Sequence, residues 1–430
     1  MLSRWLMTLP TYKRPTMSGL FGYFSTETKD VFTSIYFGIY ALQHRGQQSS
    51  GIATVHDGEV DLCVGPGLIK RSFARGKNDD LKGSKGVGFV KYKFRYDHTP
   101  AMPIQRNGAV MVFDGVVNNK EFSFDDLWNY LESDEADLKN YLLGLEGTFS
   151  FIYVNDDKMI AYRDMKGIKP LCIGYDSQTT IVATESCAIE SIGARFVRDL
   201  QPGEIFIHTA NGQTSYYLSN ETSNICAFEF IYTARPDSVI DNISVYDARY
   251  RLGKMLSLEA PVEADIVIGA PDSGVIAALG YAKESGIPFQ EGFVRNRYVG
   301  RTFIEETQVE RERGIQIKLT PIRGNIMNRD IILIDDSIVR GTTIKRIVKN
   351  LKEKGANKVH VRIAAPQIVS SNNLTVDIPD NDELIAYEHN IEEMKAIIGC
   401  DSLAFLSLNG LYKAIGRQQM YGDYFERTEA

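Results

Sequence analysis

One segment, Ile331–Gly355, constrains the fold of this chain more than any other. Four consecutive apolar residues, Ile331–Ile334, indicate a strand buried on both faces of a parallel sheet. After a turn, apolar residues recur at i, i+3, i+4 and i+7 from Ile344 to Leu351, which is the pattern of a helix packed on a sheet. Gly355 is placed to end that helix. The segment therefore predicts a strand–turn–helix unit of an α/β domain.

The turn of this unit carries groups that suit a sugar phosphate. Asp335 and Asp336 follow the strand at its carboxyl end, where ligands bind in open α/β sheets. The segment Ser337–Thr343 adds hydroxyls and Gly341, and a helix N-terminus presents unpaired N–H groups to a phosphate. Two acids would repel that phosphate unless they hold ribose hydroxyls or a divalent cation. The plain alternative is a turn with two solvated acids. A GxxxxGK[ST] nucleotide loop is absent from the sequence.

Asp335–Thr343, which reads DDSIVRGTT, resembles the phosphoribosyl diphosphate (PRPP) loop of the type I phosphoribosyltransferases, in the form found in the amidophosphoribosyltransferase family. The resemblance implies a Mg²⁺ ion held by Ser273, Asp335 and Asp336, with the two acids also as catalytic residues. It implies PRPP contacts from Asp335, Asp336, Ser337, Ile338, Val339, Arg340, Gly341, Thr342, Thr343, Asp272, Ser273, Arg295 and Arg297.

Two other segments of the second half contribute to this expectation. Pro271–Gly274 reads PDSG and matches the family's diphosphate turn, although alone it is equally typical of any strand end. The charged run from Arg295 to Arg323 resembles the loop that closes over PRPP, while a solvated surface is its default interpretation. Strands alternate with helices through this half, which predicts a parallel sheet, and Ser402–Leu408 is expected as its last strand.

The first half is similar to the N-terminal-nucleophile glutaminase domain of the same family. Matching segments include ALQHRGQQSSGI from Ala41 and RDMKGIKPLCIG from Arg163, and the resemblance covers nearly all of the chain beyond residue 17. It implies an α+β N-terminal-nucleophile domain, an αββα sandwich, followed by an α/β type I phosphoribosyltransferase domain with a central parallel sheet. The expected divisions are an extension over residues 1–17, a glutaminase-like domain over 18–223 and a transferase domain over 224–430.

The residues expected in the glutamine pocket depart from the family pattern. Ser18 stands where the nucleophilic cysteine is expected, and Lys91 replaces the arginine that would grip the glutamine carboxylate. Phe94 adds bulk in place of a small residue. Asp114, followed by Gly115, replaces the asparagine whose amide would donate to the oxyanion. Ser18 could still act if processing, or a start at Met17, exposes its amine. The departures together favour a folded relic or docking module without glutaminase activity.

Composition restricts the partners and the cofactors. The chain is 43% apolar with a net charge of −7, so nucleic-acid binding is not expected, and its apolar runs are too short to span a membrane. Five scattered cysteines without a CxxC pair predict reduced thiols in a cytoplasmic protein. Some family members hold an iron–sulfur cluster with four cysteines. Cys226 alone matches such a position, so no iron–sulfur cluster is predicted.

The resemblance implies a function in de novo purine synthesis. The chain would transfer ammonia to PRPP with Mg²⁺, giving 5-phosphoribosylamine and diphosphate. Its nitrogen would come from free ammonia or from an active glutaminase-bearing relative. Feedback by purine nucleotides and a homo-oligomeric state are implied as well. The alternative is a pseudoenzyme that binds PRPP or nucleotides and regulates, or co-assembles with, an active relative.

Overall fold

The computed structural model describes residues 17–27, 31–73, 81–92, 101–177, 179–295, 319–371 and 374–426. These residues form two compact units. The first unit contains the described residues up to Ile225, together with Val239–Asn242 and residues 374–377, and the second contains the remainder. Within the described ranges, no helix combines the length and apolar character needed to cross a membrane.

The first unit is built mostly from short strands, as its alternating apolar patterns predict. Its elements are β1 (Gly19–Ser25), α1 (Phe32–Ala41), β2 (Ser49–His56), β3 (Glu59–Pro66), α2 (Ile69–Ser72), β4 (Lys85–Lys91), β5 (Ile104–Arg106), β6 (Ala109–Val117), α3 (Phe124–Glu132), α4 (Glu135–Leu143), β7 (Gly147–Val154), β8 (Lys158–Arg163), β9 (Cys172–Asp176), β10 (Thr179–Ala183), α5 (Ser186–Glu190), β11 (Arg195–Asp199), β12 (Glu204–Thr209), β13 (Gly212–Tyr217) and β14 (Val239–Ile240).

Two antiparallel sheets form a sandwich in this unit. Among the described strands, one sheet runs β11-β9-β10-β1-β4-β2-β3 and the other runs β13-β12-β8-β7-β6-β5. Alternation along β1 separates two cores, because Leu20 and Phe24 belong to the apolar cluster that also holds the second sheet, whereas Phe21 packs with helix α1. Helix α3 buries Leu127 and Trp128 against the second sheet. The predicted αββα arrangement is confirmed.

The second unit alternates strands and helices. Its elements are β15 (Ile243–Ser244), α6 (Val245–Glu259), β16 (Ile266–Gly269), α7 (Gly274–Ser285), β17 (Phe293–Arg295), β18 (Leu319–Pro321), α8 (Arg323–Ile326), β19 (Asp330–Asp335), α9 (Thr342–Glu353), β20 (Lys358–Ile363), α10 (Ile385–Glu388), α11 (Ile391–Ile398), β21 (Ser402–Phe405) and α12 (Leu408–Ile415).

A parallel sheet lies at the centre of this unit. Its described strands follow the order β16-β19-β20-β21, and every neighbouring pair is parallel. Strand β19 is buried from Ile331 to Ile334, and α9 buries its apolar face from Ile344 to Leu351. Each such aliphatic side chain contributes roughly 1.5–3 kcal/mol when fully buried. The predicted strand–turn–helix unit is thus confirmed, and Gly355 follows the helix with a φ of +92°.

The expected last strand is shorter than the sequence suggests. Strand β21 ends at Phe405, and α12 begins at Leu408. The Ser407 hydroxyl accepts the backbone N–H of Gly410 at 2.9 Å, which caps the first turn of the helix. An N-cap serine supplies an acceptor that a continuing strand would not use, so the prediction of a strand up to Leu408 was wrong.

Candidate functional site

A cavity of about 340 Å³ opens at the carboxyl end of β19 in the second unit. The end of β16 and the N-terminus of α9 form its other walls. This is the edge at which ligands bind in open α/β sheets. Its lining residues are Tyr232, Ala270, Pro271, Ser273, Asp335, Asp336, Ser337, Ile338, Val339, Arg340, Gly341, Thr342, Thr343, Ile344 and Ile347.

Two adjacent buried acids dominate the electrostatics of the cavity. Asp335 and Asp336 are 9% and 8% exposed. Burial, followed by repulsion from Asp336, raises the pKa of Asp335 well above its usual range. Burial also raises the pKa of Asp336. Hydrogen bonds from the hydroxyls of Ser273 and Ser337 partly oppose this rise, and the Ser337 hydroxyl lies 2.6 Å from Oδ1 of Asp336. A ligand that supplies positive charge or hydroxyl donors would therefore be favoured here.

The turn that follows the acids forms an anion cradle at the start of α9. Gly341 precedes the helix with a φ of +74°, a left-handed conformation that costs other residues free energy. Thr342 and Thr343 are the first residues of the helix, so their backbone N–H groups point out of its N-terminus. The cradle from Ser337 to Thr343 thus combines hydroxyl donors with the positive end of the helix dipole.

The parallel sheet brings the PDSG turn beside the cradle. Gly269, the last residue of β16, pairs in register with Ile334 of β19. Gly274 opens α7 at this point, and a methyl group there would collide with the carbonyl oxygen of Ile334. Ser273 therefore reaches the same cavity as Asp336, although the two residues are far apart in the sequence.

Some of the residues predicted to contact PRPP do not line this cavity. Asp272 and Arg295 form a salt bridge with each other and are not among the residues that line it. Arg297 lies outside the described residues. In contrast, Tyr232 lines the cavity although no motif or pattern in the sequence predicts it there. It lies on a π-helical turn, Glu229–Thr233, whose position no periodic pattern predicts.

A second cluster lies in the first unit around Ser18. The N–H of Ser18 donates to Oδ1 of Asp114 at 3.0 Å, and the Lys169 ammonium lies 2.9 Å from Oδ2 of the same carboxylate. All three residues are buried. The Ser18 Oγ has no hydrogen-bond partner among the described residues. Gly19 of β1 pairs with Val90 of the antiparallel strand β4. Ser18 precedes Gly19 and Lys91 follows Val90, so both residues lie at the same edge of the sheet.

The chain is similar to known proteins over most of its length. A model of the glutamine amidotransferase domain matches residues 95–191. Amidophosphoribosyltransferase from Bacillus subtilis (strain 168) is 38% identical over 93% of this chain and 90% of its own length. Amidophosphoribosyltransferase from Archaeoglobus fulgidus is 39% identical over 93% of this chain and 94% of its own length. The chain belongs to the amidophosphoribosyltransferase family. Members of this family are phosphoribosyltransferases, that is glycosyltransferases, of purine biosynthesis.

Solved structures of the amidophosphoribosyltransferase family agree with this assignment. Glutamine phosphoribosylpyrophosphate (PRPP) amidotransferase from B. subtilis, complexed with ADP and GMP, superimposes with a TM-score of 0.85. It is 36% identical to this chain, and the match covers 95% of both chains. The two-unit architecture of the present chain is therefore that of the amidophosphoribosyltransferase family.

Within this family architecture, the structure adds one residue, Lys169, to the cluster around Ser18. Lys169 lies in the matching segment from Arg163, but it was not predicted as a site residue. Its contact with Asp114 joins positions that are 55 residues apart, and no local pattern indicates it. Gly115 adopts a φ of +133° on β6, where a side chain would meet the backbone of β7. Phe94, expected to add bulk to the pocket, lies outside the described residues.

Proposed function

We propose that this chain transfers ammonia to PRPP, giving 5-phosphoribosylamine and diphosphate, and that it has lost its own glutamine hydrolysis. The observation that carries the proposal is the pair of buried acids, Asp335 and Asp336, facing the anion cradle at the start of α9. The cradle, Ser337 to Thr343, would hold the 5′-phosphate through backbone N–H groups and hydroxyls. The two acids would hold the 2′ and 3′ hydroxyls of the ribose.

The PDSG turn would hold the diphosphate. Ser273 lines the cavity beside the acids, whereas Asp272 is occupied by Arg295. Arg295 and Arg297 are proposed to contact the diphosphate, which requires Arg295 to exchange Asp272 for the substrate. An exposed ion pair costs little to break, so this exchange is feasible.

A Mg²⁺ ion fits the residues that face the cavity. Burial raises the pKa of both acids, and repulsion from Asp336 adds to the rise at Asp335. A divalent cation would relieve that repulsion. In the described part of the chain, no group of three or more His, Cys, Asp or Glu side chains is arranged so that it could hold a metal ion by itself. One or two carboxylates with substrate phosphates are the usual way in which proteins bind Mg²⁺. Ser273, Asp335 and Asp336 would hold the ion, which would neutralise the charge of the departing diphosphate.

The chain's own residues account for the chemistry at the ribose. The bond from C1 to the diphosphate oxygen breaks, the ammonia nitrogen bonds to C1, and a proton leaves that nitrogen. Positive charge grows at C1 during this exchange. The carboxylates of Asp335 and Asp336, which are both buried, would stabilise that charge electrostatically.

Loss of glutamine hydrolysis is proposed from the contacts of Asp114. An oxyanion needs a hydrogen-bond donor, and removal of one such donor costs on the order of 10²–10³ in rate. A carboxylate accepts hydrogen bonds, and both oxygens of Asp114 are engaged, by the N–H of Ser18 and by Lys169. Lys91 in place of arginine removes the bidentate grip on a glutamine carboxylate. We therefore assign residues 18–223 to an inactive glutaminase-like domain and residues 224–430 to the transferase domain.

The proposal extends to the regulatory ligands, location, assembly and cofactors of the chain. The B. subtilis structure was solved with ADP and GMP, which supports purine nucleotides as feedback ligands of this chain. The five cysteines all lie among the described residues, and none forms a disulfide, which supports a cytoplasmic location. We propose a homo-oligomer, and an iron–sulfur cluster is not expected, because the Cys226 thiol lies 3.5 Å from the Tyr424 hydroxyl and no other cysteine matches the family's ligand positions.

Diphosphate release tests the proposal directly. Purified chain receives PRPP and Mg²⁺ with either ammonia or glutamine. We expect release with ammonia and none above background with glutamine. Equal release with both would restore Ser18 as a nucleophile. Absence of release, with PRPP still bound in calorimetry, would favour the alternative, a regulatory pseudoenzyme.

A further inference from the structure

One segment outside the cavity contacts the anion cradle at three successive residues. This segment, Asn381–Glu388, contains a 3₁₀ turn, Asn381–Glu383, and helix α10. The backbone N–H of Ile385 donates to the carbonyl oxygen of Val339 at 3.0 Å. The Ile385 side chain is buried and lies so close to Gly341 that a methyl group there would be 2.8 Å from its Cδ1. The segment therefore fixes the backbone of the cradle from behind.

The third contact is electrostatic. Arg340 lines the cavity, and its Nε and Nη2 lie 2.8 Å and 2.6 Å from Oε2 of Glu383. A guanidinium has several donors in a rigid fork. Glu383 uses the edge that carries Nε, and Nη1 has no hydrogen-bond partner among the described residues. The remaining edge of Arg340 is thus left for an anion in the cavity.

We propose that Glu383 is a positioning residue for PRPP, acting through Arg340. This inference rests on the proposed function, because it assumes that the 5′-phosphate binds in the cradle. An arginine side chain loses considerable rotamer freedom when it is ordered. Glu383 orders the guanidinium before the substrate arrives, so that Nη1 meets the phosphate without that loss. The pair is 52% and 46% exposed at its side chains, so its effect is moderate.

Steady-state kinetics of the full chain test this assignment, with ammonia saturating and PRPP varied in the presence of Mg²⁺. We expect Glu383→Gln to raise KM for PRPP about three- to tenfold and to leave kcat within about twofold. The control is Glu392→Gln on α11, whose salt bridge with Lys395 lies in the same unit outside the cavity, and it should change neither constant. An unchanged or lowered KM in Glu383→Gln would overturn the assignment.

A double-variant comparison separates positioning from general support of the fold. Arg340→Ala is made alone and together with Glu383→Gln. If Glu383 acts through Arg340, the second substitution adds no further change in KM to Arg340→Ala. An equal further rise in KM in the Arg340→Ala background would contradict the inference, because Glu383 would then act independently of Arg340.

The proposed function and this inference can fail separately. If the wild-type chain releases no diphosphate, the proposed function fails, and calorimetry with PRPP and Mg²⁺ replaces the kinetics. Weaker PRPP binding by Glu383→Gln than by wild type would then still support the inference. Wild-type turnover with identical constants for Glu383→Gln would overturn the inference alone. Absence of PRPP binding by the wild-type chain would overturn both.

Discussion

The ammonium nitrogen of Lys169 lies 2.9 Å from Oδ2 of Asp114, and both side chains are buried in the sandwich unit. Oδ1 of the same carboxylate accepts the N–H of Ser18 at 3.0 Å. Position 114, where the family resemblance implied an oxyanion donor, therefore holds one partner of a buried ion pair. Such a pair makes the residue at position 114 important for folding, independently of any chemistry at Ser18.

Asp114→Asn should destabilise the chain strongly. The substitution leaves the Lys169 cation buried without its carboxylate, and removal of one partner of a buried ion pair costs about 3–5 kcal/mol. Denaturant titration of the full chain measures the free energy of unfolding. The control is Asp125→Asn, because Asp125 is 90% exposed in its ion pair with Arg106 and should change stability by less than about 1 kcal/mol. Similar losses in both variants would contradict the structural role of the buried pair.

Asp335→Asn should raise the thermal stability of the chain and lower its activity. The amide removes one of two repelling buried acids, so the thermal midpoint without Mg²⁺ should rise. PRPP turnover with ammonia should fall at least about 100-fold, the scale of a lost electrostatic group. Asp330→Asn, at the opposite end of β19, is the control and should retain turnover. Retained turnover in Asp335→Asn would remove that acid from the proposed site.

Gly341→Ala should weaken PRPP binding beyond its effect on stability. Its φ is +74°, and the added methyl group would lie 2.8 Å from Cδ1 of Ile385. Gly399→Ala is a matched control, since its φ is +79° but no atom lies within 4 Å of an added methyl group. Each variant should lose roughly 1 kcal/mol or more of stability. Calorimetry should detect a tenfold weaker affinity for PRPP in Gly341→Ala, and an equal loss in Gly399→Ala would rule out a specific effect on the cradle.

Asp199 should make the stability of the chain depend on pH. Burial raises its pKa to about 7, while the nearby Arg163 guanidinium opposes that rise. The folded state therefore binds a proton more tightly than the unfolded state, in which the pKa is about 3.9. Its stabilising contribution is complete below about pH 4 and is lost as pH rises to about 7. The free energy of unfolding of Asp199→Asn, taken relative to that of wild type, should therefore rise by about 1–3 kcal/mol as pH increases from 5 to 8. An unchanged difference between the two proteins across that range would contradict the shift.

The second unit could be predicted closely because its signals are local. The apolar run of β19 and the periodic face of α9 are contiguous in sequence, so the strand, the turn and the helix follow from patterning. The cavity residues from Asp335 to Thr343 are contiguous as well, and the structure brings them together. Ser273 joins them because parallel strands align their carboxyl ends.

Most of the residues that could not be predicted from the sequence depend on long-range packing. Lys169 meets Asp114 across the sandwich, and Tyr232 enters the cavity from a π-helical turn. Glu383 reaches Arg340 across 43 positions. None of these contacts has a periodic signal in the sequence, because each is set by how distant segments pack. Ser407 differs in kind, since its capping role competed with an apolar pattern that also suits a strand.

Binding of PRPP between the buried acids and the start of α9 can be seen in crystals of the chain soaked with PRPP and Mg²⁺. We expect density for the 5′-phosphate against the backbone of Arg340 to Thr343, with the ribose hydroxyls beside Asp335 and Asp336. An empty cavity in crystals that bind PRPP elsewhere, or in crystals that bind none, would contradict it.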